Sequence, residues 1–402
     1  MTPTGNTSSS QTLASAPFAE KVTISDKVHF LRQSRAYGSD SIEVIAHETH
    51  MSWVFLVGEK AYKLKKPVRF PYLDFSTLEK REAVCWAELK LNRRLAPDVY
   101  IDVKPLSLSS RGLAIGGEGV IVDWLVEMQR LDRQFMLDEL IIRRRLTVEK
   151  LNHLSRILVA FYRKAPSLRP QSAEYLSDWR ERLSENRSVL FDSRFPLPLG
   201  TLRRIDLAQR RFLAENEAAF IARIKAGRIV NGHGDLRPEH IWLGTPLAII
   251  DCLEFNARLR VVDPFDEIAY LSVECERLGA AWVGRRLENC LAHQLHDGPA
   301  DNLFSFYRCY RATLKARLSL AHLFEEQPRT SEKWLPLARA YLQIAKREAI
   351  LLERSLKRPA NRPKNGHRAT AELFLRKDPH RTGHQSFPAP DRLPNETAEY
   401  YR

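Results

Sequence analysis

No stretch of the sequence reaches the roughly 18 apolar residues that a membrane-spanning helix needs, so no span is predicted. Cysteine is scarce. Cys85, Cys252, Cys275, Cys290 and Cys309 include no CxxC pair and are odd in number. That argues against a disulfide frame or a cysteine zinc site and for reduced, mostly buried thiols in a cytoplasmic protein. The pattern GxxxxGK[ST] occurs nowhere, which argues against a P-loop enzyme. The first twenty residues lack a basic start and a continuous apolar run, so they read as a flexible tail and not as a signal peptide. Acidic residues are outnumbered, 49 against 63 lysines and arginines, leaving a formal charge of +14. Such a balance favours anionic partners, and nucleotide phosphates satisfy it as well as nucleic acid does.

What is present is the composition of an ordinary globular protein, 44% hydrophobic and 28% charged over 402 residues. That length suffices for two or three domains with a core that needs no disulfide staple. Residues 1–22 are Ser/Thr-rich and predicted to be disordered. From Ser41 the pattern is β-rich: Ser41–Ala46 alternates, Trp53–Val57 is a compact strand, Gly58-Glu59-Lys60 is a turn, and Ala61–Lys65 alternates again. Ser76-Thr77-Leu78-Glu79 reads as a capping box opening a helix that stops before Pro97. Strands are predicted at Val99–Pro105 and Gly119–Leu125, with turn signals at Gly112, Gly116 and Gly117 between them. Beyond Leu131 apolar residues recur every three or four positions, predicting helices over 147–164, 171–192, 200–226, 264–279, 281–295, 301–326 and 331–355. One β-rich interruption spans Ile229–Asp251. Four regions follow: a tail (1–22), a β-rich lobe (23–126), a helical lobe (127–356) and a basic, disordered tail (357–402).

The interruption carries the chemistry. Asn231-Gly232-His233-Gly234-Asp235-Leu236-Arg237-Pro238-Glu239-His240 precedes a short strand, and Leu247-Ala248-Ile249-Ile250-Asp251 forms a second. Such a hairpin presents one aspartate from its loop and another from its strand end to a common cleft. Phosphoryl transfer needs that pair, one carboxylate to orient the attacking hydroxyl and accept its proton, and ligands for the Mg²⁺ that accompanies the nucleotide.

In these residues the chain resembles the aminoglycoside phosphotransferase and choline kinase group of protein-kinase-like enzymes. His233-Gly234-Asp235 is similar to the start of their HGDxxxxN loop and Ile250-Asp251 to the end of the following strand pair. The segment 233–240, with Asp251-Cys252-Leu253-Glu254-Phe255-Asn256, resembles an uncharacterised bacterial subset of that group. The resemblance implies an α+β, bilobal, protein-kinase-like fold, with a five-stranded nucleotide-binding lobe carrying one main helix and a larger helical lobe, hinged near Val122–Met128. It implies ATP and Mg²⁺, Asp235 as catalytic base, Asp251 as metal ligand, His233 as a brace of the loop, and Asp266 of Asp263-Pro264-Phe265-Asp266 as its clamp. Lys63 and Lys65 share a strand face, and Lys65 is favoured as the phosphate contact because Lys66-Pro67 follows. Glu79, Glu82 and Glu88 lie on the helix, and Glu82 is favoured as the partner of that lysine by its spacing to Pro97. The loop His47–Ser52 has no GxGxxG, which leaves Ser52 or backbone amides for phosphate. His240 stands where the family has Asn. It ligates a metal directly, with Mn²⁺ then suited as well as Mg²⁺, or binds through water, or contacts a phosphate.

The predicted activity is transfer of the ATP γ-phosphoryl group to a hydroxyl of a small molecule. A polycationic aminoglycoside calls for an acidic pocket that the helices do not offer, which favours a metabolic hydroxyl compound. Two other readings stand beside this one. A pseudokinase would bind nucleotide or a protein partner without transfer, and a nucleic-acid-binding protein would use the basic tail, although no known module is present. His233, Asp235 and His240 do not have the spacing of a zinc site. Arg308, Arg311, Lys315 and Arg317 form either a basic face towards an anionic acceptor or the solvated side of an amphipathic helix.

Overall fold

A computed structural model describes residues 22–357 apart from 71, 300, 301 and 325–330. The two predicted tails fall almost wholly outside the described residues. In the N-terminal lobe, helix α1 (Ile24–Leu31) precedes strands β1 (Val44–Glu48), β2 (Ser52–Val57) and β3 (Lys60–Lys65). A short hairpin, β4 (Arg69–Phe70) and β5 (Leu73–Asp74), leads into helix α2 (Leu78–Asn92). Strands β6 (Tyr100–Ser109), β7 (Gly112–Ile115) and β8 (Val120–Gln129) complete an antiparallel sheet of order β1-β2-β3-β8-β6-β7. The sheet therefore has six strands and not five. β7 is a four-residue strand set between glycine turns, too short to register as an alternating pattern.

Two further expectations need correction. Helix α2 is capped one residue later than expected: Thr77 accepts from the Lys80 N–H, while Ser76 is engaged by Asp74. Lys80 at the third helical position cannot reach back as a Glu would, so there is no capping box. The segment Val122–Met128 is no hinge. It lies within β8, with Leu125–Met128 paired both to β3 and to β6, and Met128 opposite both Ala61 and Tyr100. A doubly paired central strand cannot bend freely, and the chain crosses between lobes only after Gln129.

The C-terminal lobe contains α3 (Leu137–Ile142), α4 (Val148–Lys164), β9 (Ser167–Leu168), α5 (Ser172–Leu190), α6 (Leu199–Glu215) and α7 (Glu217–Lys225). Strands β10 (Ile229–Asn231), β11 (Ile241–Trp242), β12 (Ala248–Ile249) and β13 (Val261–Val262) carry the polar loops. Helices α8 (Pro264–Arg277), α9 (Ala281–Gln294), α10 (Leu303–Ala321) and α11 (Ser331–Leu356) follow. The helix predicted over 200–226 is two. Asn216 leaves the helical conformation, with φ −124° and ψ 23°, and both its backbone and its side-chain N–H groups donate to the Phe212 carbonyl, so α6 ends there. Trp179 of α5 centres the core, its ring packed on Phe220, Phe306, Tyr307 and Tyr310. Each buried aromatic of this kind contributes roughly 2–3 kcal/mol of transfer free energy. All five cysteines are free thiols. Among the described residues no helix is long and apolar enough to cross a membrane.

Candidate active site

The loop from Gly232 to His240 joins β10 to β11, and its backbone path explains its sequence. Gly234 has φ +90°, a region closed to ordinary side chains, and an added Cβ would also press on Leu253 and Arg260. That turn aims the N–H groups of His233 and Gly234 at one carboxylate, Glu267 of α8. Glu267 also accepts from Tyr162 Oη at 3.0 Å. The clamp is therefore Glu267 and not Asp266. One step along a helix turns the side chain by about 100°, and Asp266 instead faces α10, where both its oxygens meet Arg311 at 2.7 and 2.6 Å. Asp263 caps α8 and pairs with Arg223.

His233 braces the loop from inside. Its Nε2 lies 2.9 Å from the Ile250 carbonyl, and its Nδ1 accepts from the Asp235 N–H at 3.2 Å. Because a carbonyl only accepts, Nε2 carries the proton. Burial pushes the imidazole pKa down to about 4. A histidine held neutral in the fold but free to charge when unfolded stabilises fully above pH 6.5, and that contribution is lost as pH falls towards 4. The shift corresponds to roughly 3 kcal/mol. His233→Asn should lack this component. Chemical denaturation of both proteins between pH 7 and 4 is expected to give diverging stabilities, and parallel profiles would show that the ring is not held neutral.

The second strand ends at Asp251, whose φ of 60° places a non-glycine residue in the left-handed region, at a cost of roughly 1 kcal/mol or more. Its N–H donates to Tyr100 Oη, and the next N–H, of Cys252, donates to Asn92 Oδ1 at 2.8 Å. Arg94, just past α2, grips the carbonyls of Asn231 and Gly232 at 2.9 and 2.8 Å. The end of α2 thus ties the N-terminal lobe to both aspartate-bearing segments.

Across the cleft, Lys63 Nζ lies 2.8 Å from Asp251 Oδ1 and 2.9 Å from Glu88 Oε1. Burial disfavours its charge, but Asp251 and Glu88 outweigh burial and hold its pKa well above the usual lysine value. Reciprocally, burial raises Asp251, Lys63 outweighs it, and the carboxyl titrates far below the ordinary range. Lys65 shares the face, as its spacing requires, yet lies deeper and is only 2% exposed. It pairs with the other oxygen of Glu88 and with Glu254. Burial pushes Glu254 above the usual carboxylate value in spite of Lys65.

Three residues favoured from the sequence are thus displaced. Lys63, not Lys65, lines the cavity between the lobes. Glu88, not Glu82, partners both lysines. The buried residues of α2 are Arg81, Cys85, Glu88, Leu89 and Asn92, and Glu82 lies outside them, about 120° around the helix from Glu88. Ser52 is buried opposite Lys65 and does not line the cavity. The amides of Met51 and Ser52 are taken by Thr49 Oγ1. The cleft encloses about 650 Å³ of empty space, open solvent included, with an apolar wall of Val54, Ala61, Val99 and Leu131 and a polar end of Lys63, Glu239, His240 and Asp251.

Asp235 does not line the cavity itself but stands beside it, its Oδ2 3.6 Å from Nδ1 of His240 and its side chain 21% exposed. Burial raises its pKa, and Arg237 Nε, 3.0 Å from Oδ2, more than offsets this and keeps it ionised. The sequence reading left Arg237, Glu254 and Glu267 without roles. Their signal was position within the same motifs, and nothing in their residue type told a buried partner from a surface charge. The basic residues of α10 are neither a solvated face nor a free anion site. Arg311 pairs with Asp266, Arg308 with Glu276 and Glu348, and Lys315 stands 3.8 Å from Glu274, while Arg317 pairs with Glu185.

No protein-family model matches the chain. It is 32% identical over 319 residues to uncharacterized proteins of Mycobacterium tuberculosis and Mycobacterium bovis, over 76% of this chain and 61% of theirs. The chain thus spans about three fifths of the length of the curated relatives it matches. Among solved structures, it is similar to the GDP complex of aminoglycoside 2'-phosphotransferase-IIIa, 16% identical over 80% of this chain and 99% of that one, TM-score 0.45. It is similar also to a choline/ethanolamine kinase family protein from Mesorhizobium loti, 15% identical over 77% and 92%, TM-score 0.44. A third is the Plasmodium vivax ethanolamine kinase, 13% identical over 76% and 82%, TM-score 0.44. With a β-rich lobe, one principal helix and a helical lobe facing each other across a cleft with a polar end, the chain has a bilobal α+β fold.

Proposed function

We propose that the protein is an ATP-dependent phosphotransferase that moves the γ-phosphoryl group to a hydroxyl of a small molecule. The observation that carries this reading is convergence: Lys63 and Asp251, one from each lobe, meet at one cavity, and His240 on its polar end lies 3.6 Å from Asp235 Oδ2. Asp235, ionised and partly exposed, orients the acceptor hydroxyl and takes its proton. Lys63, fixed by Glu88, holds nucleotide phosphates. His233 and Glu267 keep the loop in its turn. The apolar wall takes the nucleobase, as apolar linings with a few polar groups do in most small-molecule sites.

The divalent ion that accompanies the nucleotide neutralises charge on the phosphates. Among the described residues no cluster of three metal-ligating side chains occurs. The donors nevertheless fit, because such ions commonly use one or two protein ligands and take the rest from phosphates and water. Asp251 and His240, which share the polar end of the cavity, are the proposed ligands.

One observation favours a second reading. Arg237 caps the carboxylate of Asp235, which suits a nucleotide-binding protein that performs no transfer. A phosphoryl-acceptor screen with labelled ATP, run in Mg²⁺ and in Mn²⁺, separates the two. Transfer to at least one hydroxyl compound is expected. Tight nucleotide binding with no transfer to any acceptor would favour the second reading.

A further inference from the structure

The residue at the usual Asn position, His240, is oriented by two contacts that define its protonation. Its Nδ1 lies 2.9 Å from the backbone carbonyl of Asp235. Its Nε2 lies 3.0 Å from Arg237 Nη2. A carbonyl only accepts and a guanidinium only donates, so the proton sits on Nδ1 and the lone pair on Nε2. An unprotonated Nε2 cannot donate to a phosphate oxygen, which removes a phosphate contact from the roles open to this side chain. The same lone pair lies 3.5 Å from Asp251 Oδ2. Two neighbouring ligands, each about 2.1 Å from one ion, are separated by roughly 3 Å, so a small closure brings both onto a common cation. The orientation resembles that of metal-bound imidazoles generally, in which the far nitrogen donates to a carbonyl and fixes the ring.

Resting on the phosphotransferase reading, we propose that this cleft takes its divalent ion on a nitrogen–oxygen pair, His240 Nε2 with Asp251 Oδ2, and so prefers Mn²⁺ or a similar transition-metal dication to Mg²⁺. The chemistry follows from the donors. Mg²⁺ is a hard ion that selects oxygen, whereas an imidazole nitrogen adds affinity for transition-metal dications, Mn²⁺ among them. An asparagine here would offer a carbonyl oxygen and no such discrimination. Ligation also has a mechanical consequence. Arg237 holds the Nε2 lone pair and, through Nε, the carboxylate of Asp235. An ion bound at Nε2 would compete with the guanidinium for that lone pair and so would loosen the hold of Arg237 on Asp235.

Pulsed electron paramagnetic resonance of the full chain with Mn²⁺ and a non-hydrolysable ATP analogue tests this without requiring turnover. The wild-type complex is expected to show hyperfine coupling to a directly bound ¹⁴N, and His240→Asn to lose it. Displacement of Mn²⁺ by Mg²⁺ in the same complex should become easier in His240→Asn by at least roughly tenfold. Analogue and Mn²⁺ bound with no ¹⁴N coupling in the wild type overturns the proposal, and needs no variant to fold. Unchanged Mn²⁺/Mg²⁺ competition in a folded His240→Asn overturns it too. Both results leave the phosphotransferase reading standing. Failure of the analogue to bind with either ion would instead overturn that reading, and the metal assignment with it.

Discussion

Asp235→Asn is expected to lower phosphoryl transfer by roughly 10²–10⁴-fold, the usual worth of a positioned general base. Nucleotide affinity should change by no more than about threefold, well under the 1.4 kcal/mol of a tenfold effect. The two expectations separate because, in the proposed reading, Asp235 serves the acceptor hydroxyl while Lys63 and Asp251 serve the phosphates and their ion. The amide retains shape but gives up the ion pair to Arg237, while the loop stays clamped by Glu267. Loss of a negative charge does not weaken an anion. Transfer is read on whichever acceptor the screen identifies and affinity by calorimetry. Transfer within a few-fold of wild type would remove Asp235 from the mechanism, and a large loss of affinity would make its role structural.

Glu88→Gln is expected to destabilise the protein by about 3 kcal/mol, the lower end of the range for breaking a buried ion pair. The lower end applies because neither lysine is left alone. Lys63 keeps Asp251 and Lys65 keeps Glu254. The functional effect is of a different kind. Without Glu88, Lys63 is held by the carboxylate proposed for the metal, so nucleotide affinity should fall as well. Glu82→Gln is the matched control. It lies on the same helix but off the buried stripe, and its effect on stability should stay within about 0.5 kcal/mol. Denaturant unfolding and nucleotide titration of the two variants decide the point. Equal effects would mean that the Lys63–Glu88 contact does not organise the cleft.

The lobe order, the helices of the second lobe and the hairpin bearing Asp235 and Asp251 were legible because each depends on local pattern. Alternation, three- and four-residue periodicity and glycine turns are written into contiguous residues. β7 escaped that reading because four residues between glycines carry too little pattern. The N-cap shifted from Ser76 to Thr77 because both hydroxyls suit the role and only Asp74, two positions earlier, engages one of them.

The sequence by itself determined which chemical groups this protein brings to its cleft: two aspartates on a hairpin, two lysines on a strand, acids on one helix, and a histidine where an asparagine is expected. Only the tertiary structure decided among near-equivalents. Lys63 over Lys65, Glu88 over Glu82 and Glu267 over Asp266 are choices between residues of like chemistry within a few positions of each other. Which of them reaches the site depends on depth and on helix phase relative to another lobe. Those are set by long-range packing, through contacts such as Arg94 to Asn231 and Asn92 to Cys252, that no local pattern encodes.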